Sequence, residues 1–495
     1  MGFFSSLREH FKGASTPLER KLVLKLDFFI LTFCCLGMFI PVNVTNYLDR
    51  ASITQAYVSG MREDLGFKGA QLTIRLLTSL CHFVAGIVPN NLLLTYFKPR
   101  NFFPFMITTW AGITMLNAVA KTPQHLMAIR FFQGYFESCI FAGTQYILGS
   151  WYTKKELGQR TGLFTASGLA GGMFGGFLQS GIHSSMNGLH GLPGWKWLFI
   201  ISGIITLPVA VYGYFFFPDT PHTTTAFYLS QEEIALAKER VPIHEDDKTE
   251  SIMSKSFLSR VVHSWYFYAF CFLWILGNCS ESQSNQSLLN LYMQSHPTEK
   301  YNLYQRNNYP TGVQAMGVTS TLLWATSTDI WGRRWLSGYY VCFTAIANAA
   351  IILAPTSTAA KFGAYYWAGS IYCIQATFFA WANDSMRNES PRLRSCVIAC
   401  MNAAGNCFQA WWPLIFYRAD DAPEFKKGMI AMIAVGTTMA IWVTVLILVE
   451  KRRAKTELQV IEAVVEERGL ESEGPTKLDS TKLDSQISDV KPSSH

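Results

Sequence analysis

Long apolar segments alternate with short polar loops along most of this chain, and each segment is long enough to cross a bilayer as a helix. They lie near residues 27–48, 70–96, 102–120, 125–150, 160–183, 196–217, 263–290, 310–328, 335–354, 362–384, 395–417 and 428–449. A polar stretch from Pro218 to Arg260 divides them into two groups of about six. The pattern predicts an all-α polytopic membrane protein with about twelve transmembrane helices in two six-helix bundles. Transporters built from repeated bundles share this layout, and their substrate sites lie between the halves near the middle of the membrane.

The polar segments mark the domain boundaries. They predict a cytosolic N-terminus at 1–26, an N-terminal bundle at 27–217, a cytosolic linker at 218–262, a C-terminal bundle at 263–450 and a cytosolic, largely disordered tail at 451–495. In the linker, Ser230-Gln231-Glu232-Glu233 forms a capping box, which predicts a short helix that ends near Arg240. The sequence after Glu467 has too little apolar content to form a packed core, and we expect disorder there.

Basic residues are concentrated in the loops on one side of the predicted bundle. They are Lys98, Arg100, Lys154, Lys155, Arg160, Arg333, Arg334, Arg387, Arg392 and Arg394. The positive-inside rule assigns this side, and with it both termini, to the cytosol. The net charge of +7 therefore reflects topology, and no nucleic-acid partner is expected. We expect a monomer in the plasma membrane, with lipid as its main surroundings.

Composition excludes several functional classes. Hydrophobic residues make up 49% of the chain and charged residues 15%, well below the ~25% of a soluble domain. The sequence contains no GxxxxGK[ST] loop for nucleotide phosphates and no GxSxG or HExxH motif. All 11 cysteines fall within predicted spans without a CxxC pair. The chain is therefore predicted not to be an enzyme and not to bind a metal or an organic cofactor. An ion gradient or the substrate's own gradient must supply the energy for transport.

Two charged residues lie within the fourth apolar segment. Arg130 and Glu137 are seven residues apart, which places them on one helical face. A charge at membrane depth costs at least ~2.5 to 3.5 kcal/mol, so such residues normally face a partner or a watery cavity. A second pair, Asp49 and Arg50, closes the first segment. The functional interpretation is a proton- or anion-handling pair on a transport path, and the alternative is a structural ion pair between packed helices.

Polar residues interrupt two other segments. The seventh becomes polar in its outer part, where it carries Asn278 and Glu281. In one interpretation these residues line a cavity or form a gate. In the other, the helix ends near Gly277 and leaves a solvated loop. The eleventh presents Asn402 and Asn406 on one face, either for hydrogen bonds to a substrate or for contacts between helices.

Small residues four apart let two helix backbones approach closely in lipid. The fifth segment carries such residues at Gly168, Gly171, Gly172, Gly175, Gly176 and Gly181. They predict either tight packing or a sliding surface between two conformations, and the two interpretations are compatible.

Several motifs carry a family resemblance. The stretch Asp329-Ile330-Trp331-Gly332-Arg333-Arg334 matches the D-x-x-G-R-R core of the signature loop of the major facilitator superfamily. Within that superfamily, residues 25–450 resemble the fungal branch of the anion:cation symporters, the allantoate permease family. The residues that carry this likeness are Asn46 to Arg50, Ala56 to Leu65, Arg130 to Gly134 with Glu137, and Phe217 to Pro221. The stretches Gly194 to Ile200 and Ala226 to Ser230 look most like the pantothenate-transporter clade.

The resemblance implies roles for particular positions. Asp49 and Glu137 are expected to bind the coupling proton, while Arg50 and Arg130 are expected to take part in gating and to hold a carboxylate. The remaining residues expected to bind substrate are Asn46, Asn278, Glu281, Asn402 and Asn406, and the gating loop consists of Asp329, Gly332, Arg333 and Arg334. Gly168 to Gly172 hold no polar residue of the kind that bacterial relatives use for a sugar-acid chain, which disfavours a sugar-acid substrate.

The chemistry of these residues agrees with such roles. A carboxylate that exchanges partners between conformations can take up a proton on one side of the membrane and release it on the other. Arginine stays charged and grips a carboxylate through two hydrogen bonds. The sequence thus predicts proton-coupled symport of a small organic anion, such as the carboxylate vitamin pantothenate, by alternating access. The alternatives are an exporter of a fungal secondary metabolite and a nutrient sensor that signals through its tail.

Overall fold

The computed structural model describes residues 16–42, 86–87, 89–94, 96–241, 254–282, 286–295, 301, 305, 308–387, 389–418 and 421–467. All regular structure in these residues is helical. By its internal contacts, the chain as far as Ile441 forms one compact unit, and the residues from Trp442 onward form a second.

Helices of the first half follow the predicted segments, except that most of the predicted segment 70–96 lies outside the described residues. They are α1 (Pro17–Leu26), a π-helical turn (Asp27–Leu31), α2 (Thr32–Val42), α3 (Pro99–Leu116) with a 3₁₀ turn (Asn117–Val119), α4 (Pro123–Glu137), α5 (Cys139–Trp151), α6 (Lys154–Met186), a second 3₁₀ turn (Leu189–Gly191) and α7 (Gly194–Phe216). The linker forms α8 (Gln231–Arg240). Helix α1 begins well before residue 27 because Pro17 fits the first helical position and the Thr16 hydroxyl accepts the N–H of Glu19.

The second half continues the same pattern. Its helices are α9 (Lys255–His263), α10 (Trp265–Glu281), α11 (Gln286–Gln294), α12 (Thr311–Trp331), α13 (Trp335–Leu353), α14 (Thr358–Ala368), a 3₁₀ turn (Gly369–Tyr372), α15 (Cys373–Ser385), α16 (Pro391–Phe416) and α17 (Lys426–Glu467). Helix α17 runs past the predicted end at 449, so residues 451–467 of the predicted tail are helical. These residues are rich in Lys, Arg, Glu, Gln and Ala, which favour helix even in water. The tail after Glu467 lies outside the described residues.

The described helices differ in how apolar they are. Five are long and apolar enough by themselves to cross a membrane, namely Pro17–Phe39, Pro99–Val119, Gly194–Phe216, Trp335–Leu353 and Lys426–Arg453. The helices of the other predicted spans are shorter, interrupted or more polar. Because such helices cannot expose every face to lipid, they are the ones expected to surround a polar path.

The glycine-rich helix α6 packs lengthwise on α12. A Cβ atom at Gly172 would lie 2.7 Å from Nε2 of Gln314, and one at Gly162 would collide with Ala325. The glycines at these positions therefore permit the close approach of the two helices, in agreement with tight packing. Whether the same surface slides during transport stays a prediction.

The linker helix α8 confirms the capping box and lies against the N-terminal bundle. The Ser230 hydroxyl accepts a hydrogen bond from the N–H of Glu233, and the Glu233 carboxylate accepts one from the N–H of Ser230. Lys25 of α1 donates to the buried Glu233 carboxylate over 2.7 Å. Burial raises the pKa of Glu233, but the bonds from Lys25 and Ser230 outweigh it and hold this pKa below its usual value. Glu233 thus fastens α8 to α1 through an ion pair.

At the other end of α8, Arg240 joins two further elements. Its Nε lies 3.0 Å from Oε1 of Glu19 on α1, and its Nη2 bonds the carboxylate of Glu156 at the start of α6. All three side chains are mostly buried. Arg240 therefore ties the linker helix to α1 and to the start of α6.

Replacement of Arg240 by methionine is expected to release the linker helix. Exposed ion pairs contribute up to ~1 kcal/mol and breaking a fully buried one costs ~3–5 kcal/mol, so these partly buried contacts should contribute about 2 kcal/mol. That loss corresponds to a roughly 30-fold rise in the open population. The rate of linker cleavage by subtilisin in membranes measures it. Lys238→Met, on an exposed position of the same helix, is the control, and equal cleavage of both variants would contradict the role of Arg240.

Candidate functional site

Arg130 and Glu137 both lie on α4, and the structure buries them, with 4% and 7% of their surfaces exposed. The guanidinium of Arg130 lies 5.3 Å from the ring centroid of Phe199 on α7. Both residues are thus buried on the same helix, and an aromatic ring supports the arginine.

Between these two residues, Gln133 shows what this face of α4 contacts. Its Nε2 donates to the Thr114 hydroxyl over 3.3 Å, and its Oε1 accepts from Nδ2 of Asn117 over 3.1 Å. Thr114 and Asn117 belong to α3 and the turn that follows it, so this face packs within the first bundle. Transport of a proton or anion and structural ion pairing both remain predictions for Arg130 and Glu137.

The outer part of the seventh segment is helical. Helix α10 continues to Glu281, and the side chains of Asn278 and Glu281 are each only 3% exposed. The alternative of a helix that ends near Gly277 and a solvated loop is therefore wrong. Polar residues can continue the helix here because packing against other helices, rather than lipid or solvent, surrounds them.

Glu281 has an uncharged partner. Its Oε2 accepts a hydrogen bond of 3.0 Å from Nε2 of Gln375 on α15. Its Oε1 is buried and has no hydrogen-bond partner in the part of the chain that the structure describes. No described lysine, arginine or histidine forms an ion pair with Glu281. In contrast, the buried carboxylates of Glu233 and Asp329 each have a basic partner.

Two asparagines of α16 lie beside this part of α10. Nδ2 of Asn406 donates to Oδ1 of Asn402 over 2.9 Å and to its carbonyl over 2.8 Å. The two helices pack closely at Gly405, where a Cβ atom would lie 2.8 Å from Nδ2 of Asn278 and would collide with Trp274. The structure thus brings the polar part of α10 at Asn278 against α16 at Gly405, between Asn402 and Asn406.

We call Trp274, Asn278, Glu281, Asn402 and Asn406 the C-terminal polar cluster. Sequence reasoning missed Trp274, although it lies four residues before Asn278 and so on the same helical face. Gln375 was missed as well, since nothing in the sequence shows which helix faces Glu281.

The signature loop joins the two halves. Asp329 at the end of α12 accepts the N–H of Gly158 over 3.2 Å and that of Gln159 over 2.6 Å, both at the start of α6. Gly332 ends the helix with a φ of 62°, in the left-handed region that favours glycine. This loop therefore closes a contact between the halves on the side predicted to be cytosolic.

The two arginines of this loop behave differently. Nη1 of Arg334 lies 2.8 Å from Oδ1 of Asp329, and its Nε bonds Asp384 on α15. Burial lowers the pKa of Arg334, but the two carboxylates outweigh it and raise this pKa above its usual value. Arg333 is exposed and forms no ion pair with a described residue. Sequence reasoning missed Asp384, because it belongs to a different helix.

Three of the predicted site residues, Asn46, Asp49 and Arg50, lie outside the described residues. Every other predicted site residue is placed. They form three groups: the pair on α4, the C-terminal polar cluster, and the loop contact at the start of α6.

Comparisons with known proteins agree on one family. The family model described as Major Facilitator Superfamily matches residues 29–413. The chain is 40% identical over 422 residues to "Pantothenate transporter liz1" of Schizosaccharomyces pombe, covering 85% of this chain and 80% of the relative. It is 37% identical over 445 residues to "Pantothenate transporter FEN2" of Saccharomyces cerevisiae, covering 88% and 85%.

A solved structure shows the same fold. The proton:xylose symporter XylE superposes with a TM-score of 0.64 at 11% identity, over 84% of this chain and 94% of that one. At this identity the likeness concerns the fold alone.

Proposed function

The chain belongs to the major facilitator superfamily, and we propose that it is a proton-coupled symporter that imports a small organic anion, a carboxylate vitamin such as pantothenate, by alternating access. As a member of this superfamily, the chain is a multi-pass membrane transporter. It also confirms the prediction of an all-α membrane protein with about twelve transmembrane helices in two bundles. We further propose a monomer in the plasma membrane with both termini in the cytosol.

Sequence similarity is the observation that carries the substrate proposal. Two relatives named as pantothenate transporters share at least 37% identity with this chain over most of their own length. The buried Arg130 supports an anionic substrate, since a guanidinium in a low-dielectric site holds a carboxylate through two parallel hydrogen bonds. Glu137 beside it supports coupling to protons.

The number of protons decides what drives uptake. One proton that travels with one monoanion moves no net charge, so only the pH difference drives transport, at ~1.4 kcal/mol per tenfold gradient. A second proton would add the membrane potential, at ~2.3 kcal/mol per 100 mV. Asp49 and Glu137 offer two carboxyl groups, which supports a two-proton mechanism.

Uptake of radiolabelled carboxylate vitamins, measured at pH 5 and pH 7.5 in cells without their own pantothenate uptake, tests the proposal. We expect pantothenate to accumulate above its external concentration at pH 5, several-fold less at pH 7.5, and not at all with a protonophore. In voltage-clamped cells, two-proton symport predicts an inward current. If accumulation depends neither on pH nor on the protonophore, proton coupling is excluded. If none of the vitamins in the panel is taken up, the substrate class is excluded.

A further inference from the structure

Glu281 differs from three other buried carboxyl groups in the kind of partner that it has. It is 3% exposed, and its partner is the uncharged amide of Gln375, whose Nε2 donates over 3.0 Å. Glu233 and Asp329 each pair with a basic side chain. Asp219 accepts a backbone N–H in the first turn of α3, where the helix dipole favours a negative charge. Among the described residues, Glu281 therefore lacks the kind of partner that stabilises an ionised carboxylate.

Positive charges of the described residues lie far from Glu281 on the elements that pack most extensively against α10. These elements are α9, the 3₁₀ turn Gly369–Tyr372, α15 and α16. The turn is uncharged, and the charged residues of α9 lie beyond the opposite end of α10. Those of α15 and α16 are Asp384, Arg392 and Arg394. At least nine residues, or about 13 Å of helix, separate them from Gln375 and Gly405, which lie beside the Glu281 end of α10.

The other titratable side chains described near this end of α10 are thiols and phenols. They are Cys279, Cys373 and Tyr417. Ordinary thiols and phenols ionise mainly above about pH 8 and so offer no counter-charge at neutral pH. A buried ionised carboxylate without a counter-charge is so unfavourable that such a group takes up a proton instead. The site thus stabilises Glu281 as the neutral acid.

The hydrogen bond of Glu281 ends beside an interruption in the tenth predicted span. The 3₁₀ turn Gly369–Tyr372 separates α14 from α15, and Gln375 is the third residue of α15. A Cβ atom at Gly369 would collide with the backbone of Val313 on α12, so the turn is packed directly against a neighbouring helix. A stretch of 3₁₀ helix within a span often marks a hinge. A change in the charge of Glu281 therefore acts on a segment that adjoins a candidate hinge.

The conformation of the protein fits a neutral Glu281. The halves are in contact on the side predicted to be cytosolic, where Asp329 accepts two backbone N–H groups of α6. A carboxyl group that is neutral while this contact is closed can take its proton from water on the outer side. It can then return the proton to water on the cytosolic side once the contact opens.

We propose that Glu281 is a proton-binding residue of the transport cycle, and that it must be neutral for the loaded carrier to change conformation. The inference rests on the proposed function and deepens it. It replaces the expectation from the sequence that Glu281 binds substrate, and it adds a titrating group in the C-terminal half to Glu137 in the N-terminal half.

Exchange of labelled for unlabelled pantothenate across proteoliposomes, with equal pH and equal substrate on both sides, tests this assignment. Only the loaded carrier moves in exchange. On the alkaline side of the profile, each proton that loading requires makes the rate fall about tenfold per pH unit. The slope of log rate against pH therefore counts the required protons.

Glu281→Gln should lower this slope by one. Glutamine keeps an oxygen that accepts from Gln375, and it is always neutral. Exchange at pH 5, where the wild-type site is protonated, should stay close to the wild-type rate. Asp219→Asn changes another buried carboxyl to an amide outside the C-terminal half, and as the matched control it should keep the wild-type slope.

A second variant covers the case in which Glu281→Gln does not reach the membrane. Gln375→Met keeps the carboxyl group of Glu281 but removes its hydrogen-bond donor. The decline of exchange should then move along the pH axis with an unchanged slope. A decline at the wild-type pH would overturn the proposal.

The outcomes separate the two levels of the argument. If the wild type neither accumulates nor exchanges pantothenate, the proposed function fails. If the wild type is active and Glu281→Gln keeps the wild-type slope, Glu281 binds no coupling proton and its bond to Gln375 is structural. If Glu281→Gln reaches the membrane but does not exchange at pH 5, a neutral side chain does not suffice at this position, and the proposal is also wrong.

Discussion

Glu137→Gln is expected to abolish accumulation of substrate against its gradient while exchange of internal for external substrate continues. Glutamine keeps the size and most of the hydrogen-bonding capacity of the buried side chain, but it cannot carry a proton. Net symport needs the empty carrier to release its proton before it returns, whereas exchange needs only the loaded form. In cells preloaded with labelled substrate, the accumulation ratio should fall to about one, and external unlabelled substrate should still release the label.

Arg130→Ala should lose both activities. We expect the loss of this buried charge to cost ~2–5 kcal/mol, which corresponds to a loss of about 30-fold or more in transport. Arg130→Lys keeps the charge but cannot form the bidentate hydrogen bonds of a guanidinium, so it should recover only part of the transport rate. Gln133→Ala is the control on the same helical face, because Gln133 carries no charge and bonds Thr114 and Asn117, and it should keep most of the transport.

A double replacement separates the transport role from a structural ion pair. Apolar residues of similar volume often replace a buried ion pair without loss of stability. Arg130→Met combined with Glu137→Leu should therefore give a folded protein that reaches the membrane. We expect this variant to be inactive, and normal transport by it would show that the pair serves packing between α4, α3 and α7.

The helices could be predicted from the sequence because their signals are local. Apolar runs bounded by polar loops predicted α3, α7 and α13 closely, and the capping box predicted α8. Boundaries were less accurate where the determinant was a single residue, such as the Thr16 cap that starts α1 early. Helix α17 extends beyond its apolar segment because the residues that follow are good helix formers. A search for apolar segments does not detect such an extension.

The candidate site was predictable only in part. Helical spacing showed that Asn402 and Asn406 share a face, and the polar run in the seventh segment indicated the part of α10 that carries Asn278. Neither pattern could show that these two parts meet at Gly405, or that Gln375 contacts Glu281, because such contacts depend on which helices pack together. The same limit explains why the Asp384 partner of Arg334 appears only in the structure.

Asp329→Asn is expected to loosen the contact between the halves at the start of α6. Asparagine has one acceptor oxygen in place of two and no charge, so it cannot accept from both Gly158 and Gln159 and also pair with Arg334. Arg334 is 7% exposed, and leaving such a buried charge with fewer partners costs up to ~3–5 kcal/mol. Hydrogen exchange of the first turns of α6 should become at least about tenfold faster.

The signature loop itself supplies the control for this last prediction. Arg333 belongs to the same D-x-x-G-R-R motif but is exposed and forms no ion pair with a described residue, so Arg333→Ala should leave exchange at the start of α6 unchanged. Asp384→Asn should give an intermediate increase, since Arg334 then keeps Asp329 as its partner. A contact that gates transport must also open during the cycle, so Asp329→Asn should shift the steady state toward the open form and lower the transport rate. Unchanged exchange in Asp329→Asn would mean that the loop contact does not hold the two halves together.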